Sequence, residues 1–180
     1  MVVILAVAGA LLLLGANYAD GNVHSQLSRQ EITFPTAKTI NTPKSENFIS
    51  RAVQLPYAGQ QVLTGTQARA YAYKVQMDVY GLPFHGVYSK ISGYAMTHPS
   101  TKKMAALVTV SFKATTLEGL LLEAYAFSQF GTIATAGAIA AIVLACVMLA
   151  LTGLGLWHVH RTPTGQEFPR SFQTEERQAA

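Results

Sequence analysis

Two uncharged apolar segments near the ends of this chain limit what it can fold into. Met1–Ala16 and Gly131–Trp157 contain no Lys, Arg, Asp or Glu. As a helix, Gly131–Trp157 would be about 40 Å long, which exceeds the ~30 Å hydrocarbon core of a bilayer. Residues 17–130 between the two segments are mostly polar. The pattern predicts a mainly α protein: a two-transmembrane-helix hairpin with a small, mostly helical extracytoplasmic domain between the spans.

The first apolar segment has two interpretations. Met1–Ala16 alone would form only about 24 Å of helix, so an anchored helix must continue to about Ala19. A cleaved secretory signal peptide is the alternative, but no basic residue precedes the apolar run and the cleavage pattern before Asp20 is poor. We therefore expect residues 1–19 to be a first transmembrane helix. The abrupt apolar start is also consistent with a protein whose encoded chain begins upstream of Met1.

The flanks of the second segment predict its orientation. An aromatic residue followed by cationic groups, as at its C-terminal end, is typical of a cytoplasmic interface, and aromatic residues at the other end are typical of the outer interface. We therefore expect four interface anchors: Tyr125, Phe130, Trp157 and Arg161. In this topology both termini are cytoplasmic, residues 20–116 face outward from a bacterial cytoplasmic membrane, and residues 158–180 form a flexible cytoplasmic tail.

Helix signals dominate the middle segment. The first helix is expected to continue beyond Asp20 until Pro35 stops it. A short helix is expected after Ser45 and another over Tyr88–Ala95. Between these two, Thr66 is a candidate N-cap for a helix that Gly81 and Pro83 would end.

The start of the last helix is less clear from the sequence. Met104–Phe112 fits either a strand or a helix, because its apolar residues match both periods. Thr115 and Glu118 have the spacing of a capping box. They predict one unbroken helix over residues 117–157, which crosses the membrane at about 131–157.

Several short segments of the chain are similar to a known group of proteins. They resemble a family of small, uncharacterised actinobacterial membrane proteins over most of residues 1–157, outside Phe34–Pro56 and Phe84–Thr115. The segments that carry the resemblance are Val23–Leu27, Ile32–Pro35, Tyr57–Val62, Thr64–Ala72 and Thr116–Phe127. The resemblance implies one helix, an outward domain and a second helix. Some members carry the label aromatic ring-opening dioxygenase, but the resemblance supplies no catalytic residues.

Residues able to support catalysis are not arranged in a recognisable pattern. A non-haem iron site needs two histidines and a carboxylate, yet His24, His85 and His98 show no metal-ligand spacing. There is no nucleophile elbow or phosphate loop, and Cys146 lies in the second apolar segment. We expect no catalytic, cofactor-binding or metal site. The scattered basic residues also predict no nucleic-acid binding.

Small residues on the second apolar segment indicate close helix packing. Gly137, Ala141 and Ala145 repeat every four residues, with Gly153 further along. Such rows let another helix approach closely. The expected partner is the first helix, through Gly9 and Gly15.

Three functions remain open from the sequence. The favoured hypothesis is a non-enzymatic accessory or assembly component of an envelope or respiratory membrane complex, which would contact lipid and protein partners. The alternative is a membrane-anchored sensor that binds a lipid or small ligand in an apolar cavity lined by the domain's tyrosines: Tyr57, Tyr71, Tyr73, Tyr80, Tyr88 and Tyr94. A metal-dependent oxygenase would require His85 and His98 at one metal.

Overall fold

The computed structural model of the protein describes residues 1–42, 48–98 and 101–161. These residues are mainly helical, and no β-strand occurs among them. Short 3₁₀ turns lie at Leu55–Tyr57 and Pro83–Gly86. The six α-helices of this part of the chain are α1 (Val2–Gln30), α2 (Ala37–Ile40), α3 (Phe48–Gln54), α4 (Gly65–Tyr80), α5 (Tyr88–Thr97) and α6 (Lys102–Arg161).

Helix α1 continues well past the first apolar segment. It runs through Asp20 without a break and ends at Gln30, where Glu31 adopts a left-handed conformation with φ 51°. The Glu31 amide donates to the Ser28 carbonyl and so satisfies one of the last free helix carbonyls. The predicted extension of the first helix past Asp20 is confirmed, but the helix ends at Gln30 and not at Pro35.

Helix α6 begins earlier than its sequence suggested. It starts at Lys102, where the Thr101 hydroxyl accepts a hydrogen bond of 3.2 Å from the Met104 amide. Thr115 and Glu118 lie inside the helix, so the predicted capping box is wrong. Met104–Phe112 is helical, which settles the alternative between strand and helix. With 60 residues, α6 is about 90 Å long.

The cap of α4 lies two residues before the predicted one. Thr64, not Thr66, is the N-cap, and it forms a capping box with Gln67. The Gln67 backbone amide donates to the Thr64 hydroxyl at 3.3 Å, and the Thr64 backbone amide donates to Gln67 Oε1 at 3.1 Å. Gly81 follows the end of the helix as predicted. Helices α3 and α5 confirm the two predicted short helices, although Ser45 lies outside the described residues.

The polar residues between the two apolar segments pack along the N-terminal part of α6. Leu121 of α6 is fully buried between α1 and α4. Phe34 joins the loop after α1 to this core, with its ring 5.2 Å from that of Tyr71 and 5.4 Å from that of Tyr57. The remaining buried members of the core are Val23, Leu27, Val62, Ala68, Ala70, Ala72 and Val75. Because α1 and α6 extend beyond this core, each is shared between the domain and an apolar helix pair.

The predicted segment boundaries do not coincide with helix ends. Position 20 lies inside α1 and position 116 inside α6. The first residues of the predicted tail are also helical, since α6 ends at Arg161. Residues 162–180 lie outside the described part of the chain.

Candidate functional site

Helices α1 and α6 form an antiparallel pair. A Cβ atom placed on Gly9 would be 3.4 Å from the Ala138 carbonyl oxygen and 3.0 Å from Ile142 Cγ1. One placed on Gly131 would be 3.4 Å from the Ala16 carbonyl oxygen. As α1 residue numbers rise, the opposing α6 numbers therefore fall. Glycine at these two positions permits the close backbone approach.

The contact between the two helices follows a spacing of seven residues. Such a spacing is typical of left-handed helix pairs. The buried positions at this spacing are Gly9, Ala16 and Val23 of α1 and Gly131, Ala138 and Ala145 of α6.

The four predicted packing residues occupy different positions relative to this contact. Ala145 is buried within it, and the Ala141 Cβ would lie 3.6 Å from a Cβ on Gly9. Gly137 lies at its edge, where a Cβ would be 3.5 Å from Leu12 Cδ1. Gly153 lies past the helix pair, with nothing in the described part of the chain within 4 Å of such a Cβ.

The outer surface of the helix pair is apolar and exposed. Both helices are long and apolar enough to cross a membrane. In the most apolar 18-residue stretch of each helix, only 17% of α1 and 6% of α6 is buried within the structure. Ile133 is 67% exposed and Ile139 57% exposed. A core helix of a soluble protein would bury most of such a stretch. The two helices are therefore consistent with insertion in a membrane.

The four predicted interface anchors differ in their contacts. The Arg161 guanidinium lies 4.3 Å from the centre of the Trp157 ring, in a cation–π geometry. Tyr125 faces α4, where Arg69 Nη1 donates a 3.0 Å hydrogen bond to its hydroxyl. Phe130 projects outward and is exposed. The sequence did not suggest Arg69, because its partner is 56 residues away.

The first turn of α4 contacts α6 through a glycine that sequence reasoning missed. A Cβ on Gly65 would overlap Ser128 Cβ, and would be 2.7 Å from Ser128 Oγ and 3.3 Å from the Ala124 carbonyl oxygen. No side chain can fit there unless the two helices separate. Gly65 directly follows the N-cap Thr64. A glycine in the first position of a helix was the sequence feature that could have indicated this close contact. The position fixes where the domain meets α6.

An open cavity of about 370 Å³ lies where α1, α6 and the start of α4 meet. Its lining consists of Asp20, Val23, His24, Leu63, Thr64, Gly65, Ser128 and Thr132. Asp20 Oδ1 lies across Gly131, 3.0 Å from the position of a Cβ on that glycine. Within the described residues, neither the Asp20 carboxylate nor the His24 ring has a hydrogen-bond or ion-pair partner. The cavity therefore presents unpaired polar groups.

The other two histidines of the segment between the apolar stretches stack on separate tyrosines. His85 lies 4.5 Å from the Tyr80 ring, and His98 lies 3.8 Å from the Tyr94 ring. Across residues 1–42, 48–98 and 101–161, no three or more His, Cys, Asp or Glu side chains are grouped so that they could hold a metal ion. The shared metal site that the oxygenase hypothesis requires is not found in these ranges.

The domain's tyrosines do not line a common cavity. Tyr57 and Tyr73 border an open groove of about 450 Å³ beside α3 and α4. Tyr94 borders a different groove between α5 and α6, and Tyr71 packs on Phe34 in the core. Tyr88 packs on the Phe112 ring of α6, 5.4 Å away. Among the described residues, the tyrosines therefore lie at separate grooves and in the core rather than around the one cavity that the sensor hypothesis expected.

One carboxyl group on α6 is perturbed by its position. Glu118 lies between Leu117, which packs against the core, and the fully buried Leu121. Partial burial removes water from its side chain and raises the pKa of Glu118. The folded state therefore disfavours the charged form at this position.

Comparisons of the chain with known protein families, with curated proteins and with solved structures find no match. The interpretation of the helix pair and of the cavity therefore rests on their geometry and chemistry.

Proposed function

We propose that this protein is a non-enzymatic accessory or assembly component of a larger complex in a bacterial cytoplasmic membrane. In this proposal α1 and α6 cross the bilayer as a hairpin, both termini are cytoplasmic, and the domain around α4 faces outward. The observation that carries it is the exposed apolar surface of the helix pair, including Ile133 and Ile139. The resemblance to actinobacterial two-helix membrane proteins is in line with this proposal.

The positions of polar residues support one membrane level for both helices. Asp20 is the first charged residue of α1 and contacts α6 at Gly131, where the second apolar segment begins. Both helices thus become apolar at the same height. From Gly131, a hydrocarbon core of ~30 Å extends over about 20 helical residues. Trp157 lies about 39 Å along α6 from Gly131, so Trp157 and Arg161 would lie beyond the opposite edge of that core, on the side where an aromatic–cation pair is favourable.

Exposed apolar side chains on the domain support a protein partner. Val110 lies about 30 Å along α6 from Gly131, too far to contact the hydrocarbon core. It is nevertheless exposed, as are Phe84, Phe112 and Met96, the last to 86%. We propose that some of these exposed apolar side chains contact a partner, because apolar surface exposed outside the membrane often marks interaction sites.

Co-purification after mild detergent extraction tests the proposed role. We expect the protein to resist alkaline carbonate extraction and to retain a stable protein partner. Met96→Asp should weaken partner retention because it places a charge on the apolar surface, whereas Ser89→Asp, on another exposed position of α5, should not. Release by carbonate would contradict membrane insertion. A monodisperse monomer without any partner would contradict the accessory role.

A further inference from the structure

The cavity between α1, α4 and α6 has the position and chemistry of a lipid headgroup site. We infer that it binds the primary ammonium headgroup of an aminophospholipid in the outer leaflet. This inference rests on the proposed membrane insertion, since that insertion places lipid beside the cavity. The inference adds a specific lipid ligand, which an accessory or assembly component would not otherwise need.

The position of the cavity matches the depth of a headgroup. Asp20 and Thr132 lie at the end of the cavity where α1 and α6 become apolar. His24 and Thr64 lie nearer the domain. Below Asp20 the outer faces of the helices carry exposed apolar side chains such as Leu14 and Ile133. A phospholipid with its headgroup in the cavity could therefore place its acyl chains along this apolar surface.

Charge complementarity favours a cation. Among the eight lining residues, Asp20 carries the one formal charge at pH 7 with neutral histidine, and no described cation pairs with it. An unpaired carboxylate at the edge of a low-dielectric membrane attracts a cation more strongly than it would in bulk water. An anionic headgroup such as phosphatidylglycerol would be repelled by the same carboxylate.

Hydrogen-bond capacity favours a primary ammonium over a quaternary one. The Thr132 hydroxyl donates to the Ser128 carbonyl oxygen at 3.1 Å, so its oxygen remains an acceptor for the cavity. Asp20 and Ser128 supply further acceptor oxygens. A primary ammonium has three N–H donors that these oxygens can accept, whereas choline has none. The phosphate of the same headgroup would lie toward the start of α4, whose partial positive charge is compatible with it.

Native mass spectrometry of the full chain in detergent can measure this preference. The titrants are phosphatidylethanolamine, phosphatidylcholine, phosphatidylglycerol and the water-soluble headgroup glycerophosphoethanolamine. We expect phosphatidylethanolamine to bind at least tenfold more tightly than the other two lipids. The soluble headgroup should bind weakly, because it lacks the acyl chains. Tighter binding of the soluble headgroup than of the lipid would assign the cavity to a soluble amine and overturn the inference.

Two variants separate the cavity from non-specific lipid binding. Asp20→Asn should weaken phosphatidylethanolamine binding about tenfold, and Thr132→Val, which keeps the side-chain shape, should weaken it about threefold. Glu123→Gln is the matched control, because it removes an acidic charge from α6 outside the cavity, and it should leave binding unchanged. Equal affinity for the three lipids, or unchanged binding in both cavity variants, would overturn the inference. Carbonate resistance is measured separately, so the proposed membrane insertion can stand when this inference fails.

Discussion

Substitution of Gly65 by alanine tests whether close contact between α4 and α6 positions the domain. The added Cβ would overlap Ser128 Cβ and lie 2.7 Å from Ser128 Oγ, whereas ordinary Cβ contacts are 3.4–4 Å. The first turn of α4 must therefore move away from α6 by roughly 1 Å, which loses a quarter to a half of the dispersion energy at that contact. We expect a loss of about 1–3 kcal/mol in the free energy of unfolding.

A compensating substitution on α6 makes this prediction specific. Ser128→Gly removes the Cβ that Gly65→Ala would overlap, at a cost of about 1 kcal/mol for glycine inside a helix. The double variant should be about as stable as Ser128→Gly alone. The two changes should therefore show a favourable interaction energy of about 1–3 kcal/mol in a double-mutant cycle, equal to the cost of Gly65→Ala alone.

Thermal unfolding in detergent, followed by far-UV circular dichroism, measures these changes. A loss of 1 kcal/mol lowers the Tm of a chain of this size by about 2–4 °C. Gly119→Ala is the control, since a Cβ on this exposed helical glycine has nothing within 4 Å. It should stabilise the helix by up to about 1 kcal/mol. A Gly65→Ala protein with wild-type stability, or strictly additive effects in the cycle, would refute the proposed contact.

Two further predictions concern α6. Ala138→Leu should destabilise the helix pair by about 1–3 kcal/mol because Ala138 is fully buried against α1, and Ile139→Leu, on the exposed side, should change the Tm little. Burial raises the pKa of Glu118, so the folded state binds a proton at this carboxyl more tightly than the unfolded chain does. The contribution of Glu118 to stability therefore improves as pH falls from above the raised pKa toward the ordinary value of 4.5. Glu118→Gln should accordingly raise the Tm at pH 7 and lose this advantage near pH 4.5. An unchanged Tm for Ala138→Leu, or a Glu118→Gln advantage that persists at pH 4.5, would contradict these explanations.

Helix identity was more predictable from the sequence than helix starts. Thr64 and Thr66 are both possible N-caps of α4, and the observed cap is the one with glutamine three residues later, Gln67. Thr115 and Glu118 have the same type of spacing but lie inside α6. Their capping pattern is not used because the residues before them are already helical and pack against α5 through contacts such as Tyr88 with Phe112.

The sequence predicted that small residues of α6 pack against another helix, but not the seven-residue spacing of the buried positions. The sequence suggested a four-residue row through Gly137 and Ala141, which is typical of right-handed pairs. Ala141 and Ala145 of this row do lie at the contact, but the buried positions of α6 also include Gly131 and Ala138, which are seven residues apart. A single sequence offers small residues for both spacings. The choice depends on the partner helix, where Gly9 allows the closest approach.

Contacts between distant segments could not be predicted. Gly65 meets Ser128 across 63 residues, and Arg69 reaches Tyr125 across 56. Both pairs depend on α4 running alongside α6, which local sequence patterns do not encode. The polar lining of the cavity was missed for the same reason, because Asp20 and Thr132 come together only when α1 and α6 pack.

The uninterrupted course of α6 has a mechanical consequence. Lys102 at its tip lies about 44 Å along the same helix from Gly131. Transmembrane helices adopt a range of tilts that depends on bilayer thickness and on their neighbours. A change in tilt of about 10° at the membrane would carry the tip sideways by roughly 8 Å, as a lever does. In the proposed membrane orientation, bilayer thickness would therefore set the position of the far end of the domain through one continuous helix.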